Sequence, residues 1–192
     1  VDAEANTVES TAALSSVANV QAGNEFEDLL KALQGNDSYE RHRAAVALGR
    51  SGNPKAVDPL IVSLADQDSF VRSFAATALG NLGDSKAVPP LIKALSDKEV
   101  IVRRAAAEAL GRLKDKAAVE ALIQRLNDEN SLVQRAAAEA LGDIGDPRAV
   151  PFLQKALKSE DRFLRNGAAL ALSRIGDAGT SGQVEAQADK AT

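Results

Sequence analysis

The chain repeats itself at one fixed interval, the step from Leu48 to Leu79. The pair Leu-Gly stands at Leu48-Gly49, Leu79-Gly80, Leu110-Gly111 and Leu141-Gly142, and the series ends at Leu172-Ser173. The same step joins Val57, Val88, Val119 and Val150, and it joins Leu33, Leu64, Leu95, Leu126 and Leu157. A further column, Leu82, Leu113, Ile144 and Ile175, keeps the register. A fixed period of this length marks units that cannot bury their own apolar faces and must stack to do so.

Within one period the apolar spacing is helical. Val57, Leu60, Ile61 and Leu64 follow an i, i+3, i+4, i+7 pattern, and so do Val71, Ala75, Ala78, Leu79 and Leu82. Each unit therefore holds two helices, A and then B. Asp37, Asp68, Asn130 and Asp161 stand where they cap the start of B helices, with Glu99 the weaker member of that column. Asn53-Pro54 and Asp146-Pro147 open A helices with a capping side chain and a proline. Gly52, Gly83, Gly145 and Gly176 follow the B helices, where a left-handed residue is wanted, and Lys114 breaks that column. Gly49, Gly80, Gly111 and Gly142 fall inside B helices at about 1 kcal/mol each relative to Ala, which implies that a neighbouring helix comes very close. Pro59, Pro89, Pro90 and Pro151 kink the A helices or delay their start.

The fold expected is an all-α solenoid of five two-helix units, spanning residues 24–53, 54–84, 85–115, 116–146 and 147–177. End units are atypical: Glu40 and Ser51 replace apolar residues at the start, and Ser173 replaces Gly at the end. Residues 1–23 read as a flexible leader, and residues 178–192, small and polar and without period, read as a disordered tail.

Composition narrows the function. Of the net charge of −4, Asp2, Glu4 and Glu9 hold three units and the last fifteen residues one, so the repeats are neutral. A neutral body without Trp argues against nucleic-acid binding. There is no Cys, and His42 is the single histidine, which removes thiolate and His-rich metal sites and makes a catalytic triad improbable. No phosphate-binding or Ca²⁺ loop is present, so neither metal nor cofactor is expected. No apolar run reaches the roughly 20 residues of a membrane span. The chain starts at Val1 and lacks Met, so a leader has been cleaved or the start trimmed. The expected setting is the cytoplasm, or an organelle stroma or lumen. The sequon Asn36-Asp37-Ser38 matters only in a secreted chain.

The segment Val102-Arg103-Arg104-Ala105-Ala106-Ala107-Glu108-Ala109-Leu110-Gly111 resembles the HEAT repeats of the phycobilisome-lyase-like type, and Asp146-Pro147-Arg148-Ala149-Val150-Pro151 is similar to the same family. The resemblance covers residues 24–177 and implies an armadillo-like α-solenoid. For function it implies a wide range, from lyase subunits and chaperone-like factors to scaffolds and designed binders. It also marks Arg41, Arg72, Arg103 and Arg165, with Gln134 in the fourth place, and Asp84, Asp115, Asp146 and Asp177 as a structural ladder rather than an anion site.

A second column is the candidate functional surface. Tyr39, Phe70, Ile101, Leu132 and Phe163 recur at the repeat's own step, each just before a core position of a B helix, with Phe74 alongside. Exposed, they form an apolar stripe on the concave face, of the kind that marks a partner surface; packed between repeats, they are core. Arg104, Glu108, Arg135 and Glu139 flank the stripe and vary between repeats, as specificity positions do. No catalytic constellation accompanies them. The chain thus reads as a non-enzymatic scaffold that takes a protein partner on its concave B-helix face. The resemblance supplies an alternative, a phycobilin lyase-like or pigment-handling subunit, with a bilin in the groove and Arg104 or Arg135 on its propionates.

Overall fold

The computed structural model describes residues 25–188, with side chains through Gly176; the leader expected at 1–23 lies outside the described residues. Helices alternate short and long along the chain: α1 (25–33), α2 (Ser38–Arg50), α3 (Val57–Ser63), α4 (Ser69–Leu82), α5 (Val88–Ala94), α6 (Val100–Leu113), α7 (Val119–Arg125), α8 (Ser131–Ile144), α9 (Val150–Ala156) and α10 (Arg162–Ala188). The odd-numbered helices are the A helices and the even-numbered ones the B helices of five stacked repeats. The fold is an all-α solenoid.

Local chemistry sets the boundaries. Asp37, Asp68, Asn130 and Asp161 each accept an N–H from the first turn of the B helix that follows, whereas Glu99 makes no side-chain cap. Before each A helix from the second repeat on lies a 3-10 turn, Pro54–Ala56, Ser85–Ala87, Lys116–Ala118 and Pro147–Ala149, capped in turn by Asn53, Asp84, Asp115 and Asp146. The α-helix starts equally late at α7, which has no proline, so the capped 3-10 turn rather than the prolines sets the start. Pro59, Pro89, Pro90 and Pro151 fall in the first turns of α3, α5 and α9, where no intrahelical acceptor needs their N–H.

Gly52, Gly83 and Gly145 take left-handed φ of 65°, 73° and 72° after α2, α4 and α8. Lys114 replaces Gly at the third junction and still adopts φ 54°, the one positive φ of a side-chain-bearing residue described. Gly176 behaves differently: it takes no left-handed turn, so α10 runs on to Ala188. The helix thus continues where a disordered tail was expected to begin.

B helices pack on one another along the stack at their interior glycines. A Cβ placed on Gly49, Gly80, Gly111 or Gly142 would lie 2.6–2.9 Å from the Cα of Ala78, Ala109, Ala140 or Ala171 of the next repeat. Only Gly permits that approach. The A helices stand further apart, with grooves of about 770, 520 and 740 Å³ between those of repeats one and two, two and three, and four and five. Close spacing on one side and wide spacing on the other curves the stack, with the B helices inside. The core runs unbroken between the two layers, from Leu48 and Leu60 through Leu79, Leu91, Leu110 and Leu122 to Leu141 and Leu153, all fully buried.

Candidate functional site

Arg41, Arg72 and Arg103 are bound to turn carbonyls and to carboxylates other than those expected. Arg72 donates from Nη1 to the carbonyls of Asp66 and Gln67 in its own A–B turn, and from Nε and Nη2 to both carboxylate oxygens of Asp97 in the next repeat, at 2.8 and 2.9 Å. Arg41 binds Asp66 in the same way, and Arg103 binds Asp128. The carboxylates of this ladder are thus Asp66, Asp97 and Asp128, which the sequence reading passed over although they too recur at the repeat's step. Asp84, Asp115 and Asp146 are not rungs; each caps the 3-10 turn that opens the next A helix. Asp177 lies outside the described side chains.

The ladder changes where both its members change. Gln134 stands in the fourth arginine position and donates to the Asp128 carbonyl at 2.6 Å, while Ser159 stands in the next carboxylate position. A buried arginine without a carboxylate, or the reverse, would be an uncompensated charge. Replacing both avoids it.

Electrostatics follow these contacts. Desolvation, the largest influence, raises the carboxyl pKa of Asp66 and Asp97, but the hydrogen bonds from Arg41 and Arg72, the backbone N–H of Asp68 or Glu99 and the nearby positive charges together hold both below the usual value of 3.8. The Arg148 guanidinium and backbone N–H together pull Asp146 down to about 2. These are structural ion pairs, not acid–base groups poised near neutrality. Among the described residues no group of His or carboxylates is placed to hold a metal ion.

The B-helix face carries the apolar column largely in the open. Tyr39 and Phe70 are each 58% exposed, Leu132 42% and Phe163 38%, whereas Ile101 and Phe74 are half-buried. Ile101 packs against the core, and its carbonyl accepts from Ser73 Oγ of the preceding repeat at 3.3 Å. At the first repeat the column broadens into a cluster: His42 stacks on Phe74 with centroids 5.1 Å apart, meets Tyr39 edge-on at 5.0 Å, and Arg43 lies over the Tyr39 ring. His42 is therefore an aromatic packing element. A shallow groove of about 630 Å³ opens beside it, lined by Leu29, Arg43, Val46, Arg50 and Phe74 among others.

The flanking charges are paired within the face. Arg104 meets Glu108 at 3.4 Å and Arg135 meets Glu139 at 2.7 Å, both one helical turn apart. Arg174 reaches Asp143 of the preceding repeat. No described helix is long and apolar enough to cross a membrane.

Known proteins share this fold. The chain is 34% identical to a chain of the CpcE and CpcF complex of phycocyanin lyase from Nostoc sp. PCC7120, with a TM-score of 0.72 over 83% of this chain and 68% of that one. An engineered protein is 29% identical at a TM-score of 0.61, with 79% of each chain covered. A designed armadillo repeat protein in complex with the peptide (KR)4 shares the fold at 20% identity and a TM-score of 0.62, over 84% of this chain and 86% of that one. No protein of curated function matches. The family model for HEAT repeats matches residues 26–101, 88–173 and 119–189, which together span the whole stack. The chain belongs to the HEAT-repeat family.

Proposed function

We propose that the chain is a non-enzymatic binding module that takes a protein partner on the inner face of its B helices. The observation that carries this reading is the exposure of Tyr39, Phe70, Leu132 and Phe163 on one line of a face bent toward its ligand. Large apolar side chains held open along a rigid surface stabilise a complex by desolvation, and the paired charges beside them form a selective rim. Arg104, Glu108, Arg135 and Glu139 serve as that rim. In the substitution Phe70→Glu/Leu132→Glu both side chains point to solvent, so the fold survives. A partner captured from an extract by the wild-type chain is released by the double variant, whose circular dichroism stays helical. Retention of the partner by the folded double variant rejects this surface.

The likeness to the phycocyanin lyase complex favours one second reading, a pigment-handling subunit with a bilin against the groove beside His42 and Phe74. On that reading Arg50 at the groove joins Arg104 and Arg135 as a propionate partner, since those two are engaged by Glu108 and Glu139 and Arg43 by Glu40. Titrating the protein into free bilin and recording the visible spectrum tests it. A red-shifted, sharpened band that Phe74→Ala removes supports it, and an unchanged spectrum rejects it.

A further inference from the structure

We infer that the C-terminal end of the stack, formed by α9 and α10, is a docking face for a helix pair of another protein, one that carries a carboxylate in the turn between its two helices. In the preceding repeats one side of each B helix is covered by the next repeat. Ala45, Ala76, Ala107 and Ala138 lie on that side and are fully buried, as are Leu48, Leu79, Leu110 and Leu141. Their equivalents in the last repeat are Ala169, which is exposed, and Leu172, which is only partly covered. Leu157 is 39% exposed, whereas in the same column Leu33, Leu95 and Leu126 are 5%, 2% and 7% and Leu64 is half-buried. Among the described residues the face is the open half of an interface that is closed four times in this molecule, three of them with the arginine fork.

Arg165 specifies what the other half carries. Its Nη1 donates to the carbonyls of Ser159 and Glu160 at 2.7 Å each, as Arg41, Arg72 and Arg103 do in their own turns. Those three then give Nε and Nη2 to an aspartate of the next repeat. Among the described residues nothing takes these two donors of Arg165. A guanidinium fixed by its own turn beside an apolar patch is preorganised for a bidentate carboxylate.

The chain's own head does not fit there. Gly35 occupies the column of Asp66, Asp97 and Asp128, so it brings no carboxylate. Glu40, exposed, occupies the column of Val71, Val102 and Val133, which are fully buried. Head-to-tail stacking of two copies would bury Glu40 and leave Arg165 unpaired, which is strongly unfavourable. Ser173 adds a Cβ where Gly lets the backbones touch, so a neighbour matched to the earlier junctions must stand off. The end face thus refuses this chain's head and suits a foreign helix pair with an acidic turn.

Re-equipping the head tests the face directly, with the full chain as its own probe. Gly35→Asp/Glu40→Val/Ser173→Gly restores the residues found at the internal junctions. In sedimentation velocity the wild type is expected to run as a monomer at all concentrations. The triple variant is expected to form a concentration-dependent series of end-to-end oligomers, and adding Arg165→Glu returns it to monomer. A folded triple variant that stays monomeric overturns the inference, and so do oligomers that persist with Arg165→Glu. Wild-type self-association abolished by Leu157→Glu also overturns it, by assigning the face to a second copy. Should the triple variant lose its helical circular dichroism, Gly35→Asp/Glu40→Ala/Ser173→Gly, which removes the charge without adding a β-branched residue, carries the same comparison.

Discussion

Arg72 and Asp97 are each almost closed to solvent, and each is satisfied by the other and by backbone groups on both sides. Removing one member leaves the other charge buried, so Arg72→Ala is expected to destabilise the fold by about 3–5 kcal/mol in urea titration. The Gln134 and Ser159 junction offers the reverse experiment. Gln134→Arg alone and Ser159→Asp alone each destabilise, and the double variant recovers, with a coupling energy of about 0.5–3 kcal/mol measured in a double-mutant cycle. Additive single effects would show that the two positions do not meet. Acid acts on the same chemistry. The carboxyl of Asp146 is lowered to about 2, so its contribution is complete above the ordinary Asp value of 3.8 and is lost as pH falls toward 2. The gap in melting temperature between the wild type and Asp146→Asn is therefore wide at pH 7 and closes between pH 4 and 2. At this scale the sequence was readable in part. The arginine column stood out by type and spacing, but its carboxylates sit in the A–B turn of the following repeat, and no local pattern links the two; only the geometry of stacking does.

At the scale of helices and turns, spacing and capping residues predicted most of what forms. The interior glycines were legible as close approaches because their propensity cost has no local return. Gly111→Ala raises helix propensity yet places a Cβ 2.9 Å from the Cα of Ala140, so it is expected to lower stability by about 1–3 kcal/mol by thermal or chemical denaturation. The opposite substitution suits Lys114, whose positive φ strains a residue with a Cβ. Lys114→Gly is expected to stabilise by about 1 kcal/mol, read as a raised midpoint in urea titration. The end of α10 was not legible, since Gly176 and Asp177 copy the earlier junctions in sequence while the helix passes through them. What forces the turn at Gly83 and Gly145 is the repeat that follows, and residues 178–192 carry no apolar columns to make another.

Across the whole molecule, stability is the sum of repeats and junctions rather than of one central core. The fourth junction lacks the buried ion pair of the other three. Amide hydrogen exchange in α9 and in the first turns of α10 is therefore expected to run faster than in α3 and α4; equal protection would mean that apolar packing alone sets the order. The five-repeat architecture was fully visible in the columns. The exposure of the Tyr39 column was not, because a residue before a core position is open or covered according to how the neighbouring repeat packs beside it.

The two edges of the stack are fastened differently. Along the A–B turns, neighbouring repeats are stitched by buried guanidinium–carboxylate forks that salt screens little. Along the opposite edge the links are solvent-exposed pairs, Lys86 with Asp58 and Arg148 with Glu120, which ions weaken readily. The interior glycines lie in the last turn of each B helix, on this second edge, and there backbone contact adds the fastening that the exposed pairs lack. Salt therefore loosens only the outer pairs, while a fork holds one end of each B helix and a glycine contact the other. A ligand lying along the stripe would then meet a ruler of fixed pitch, to which it must fit itself.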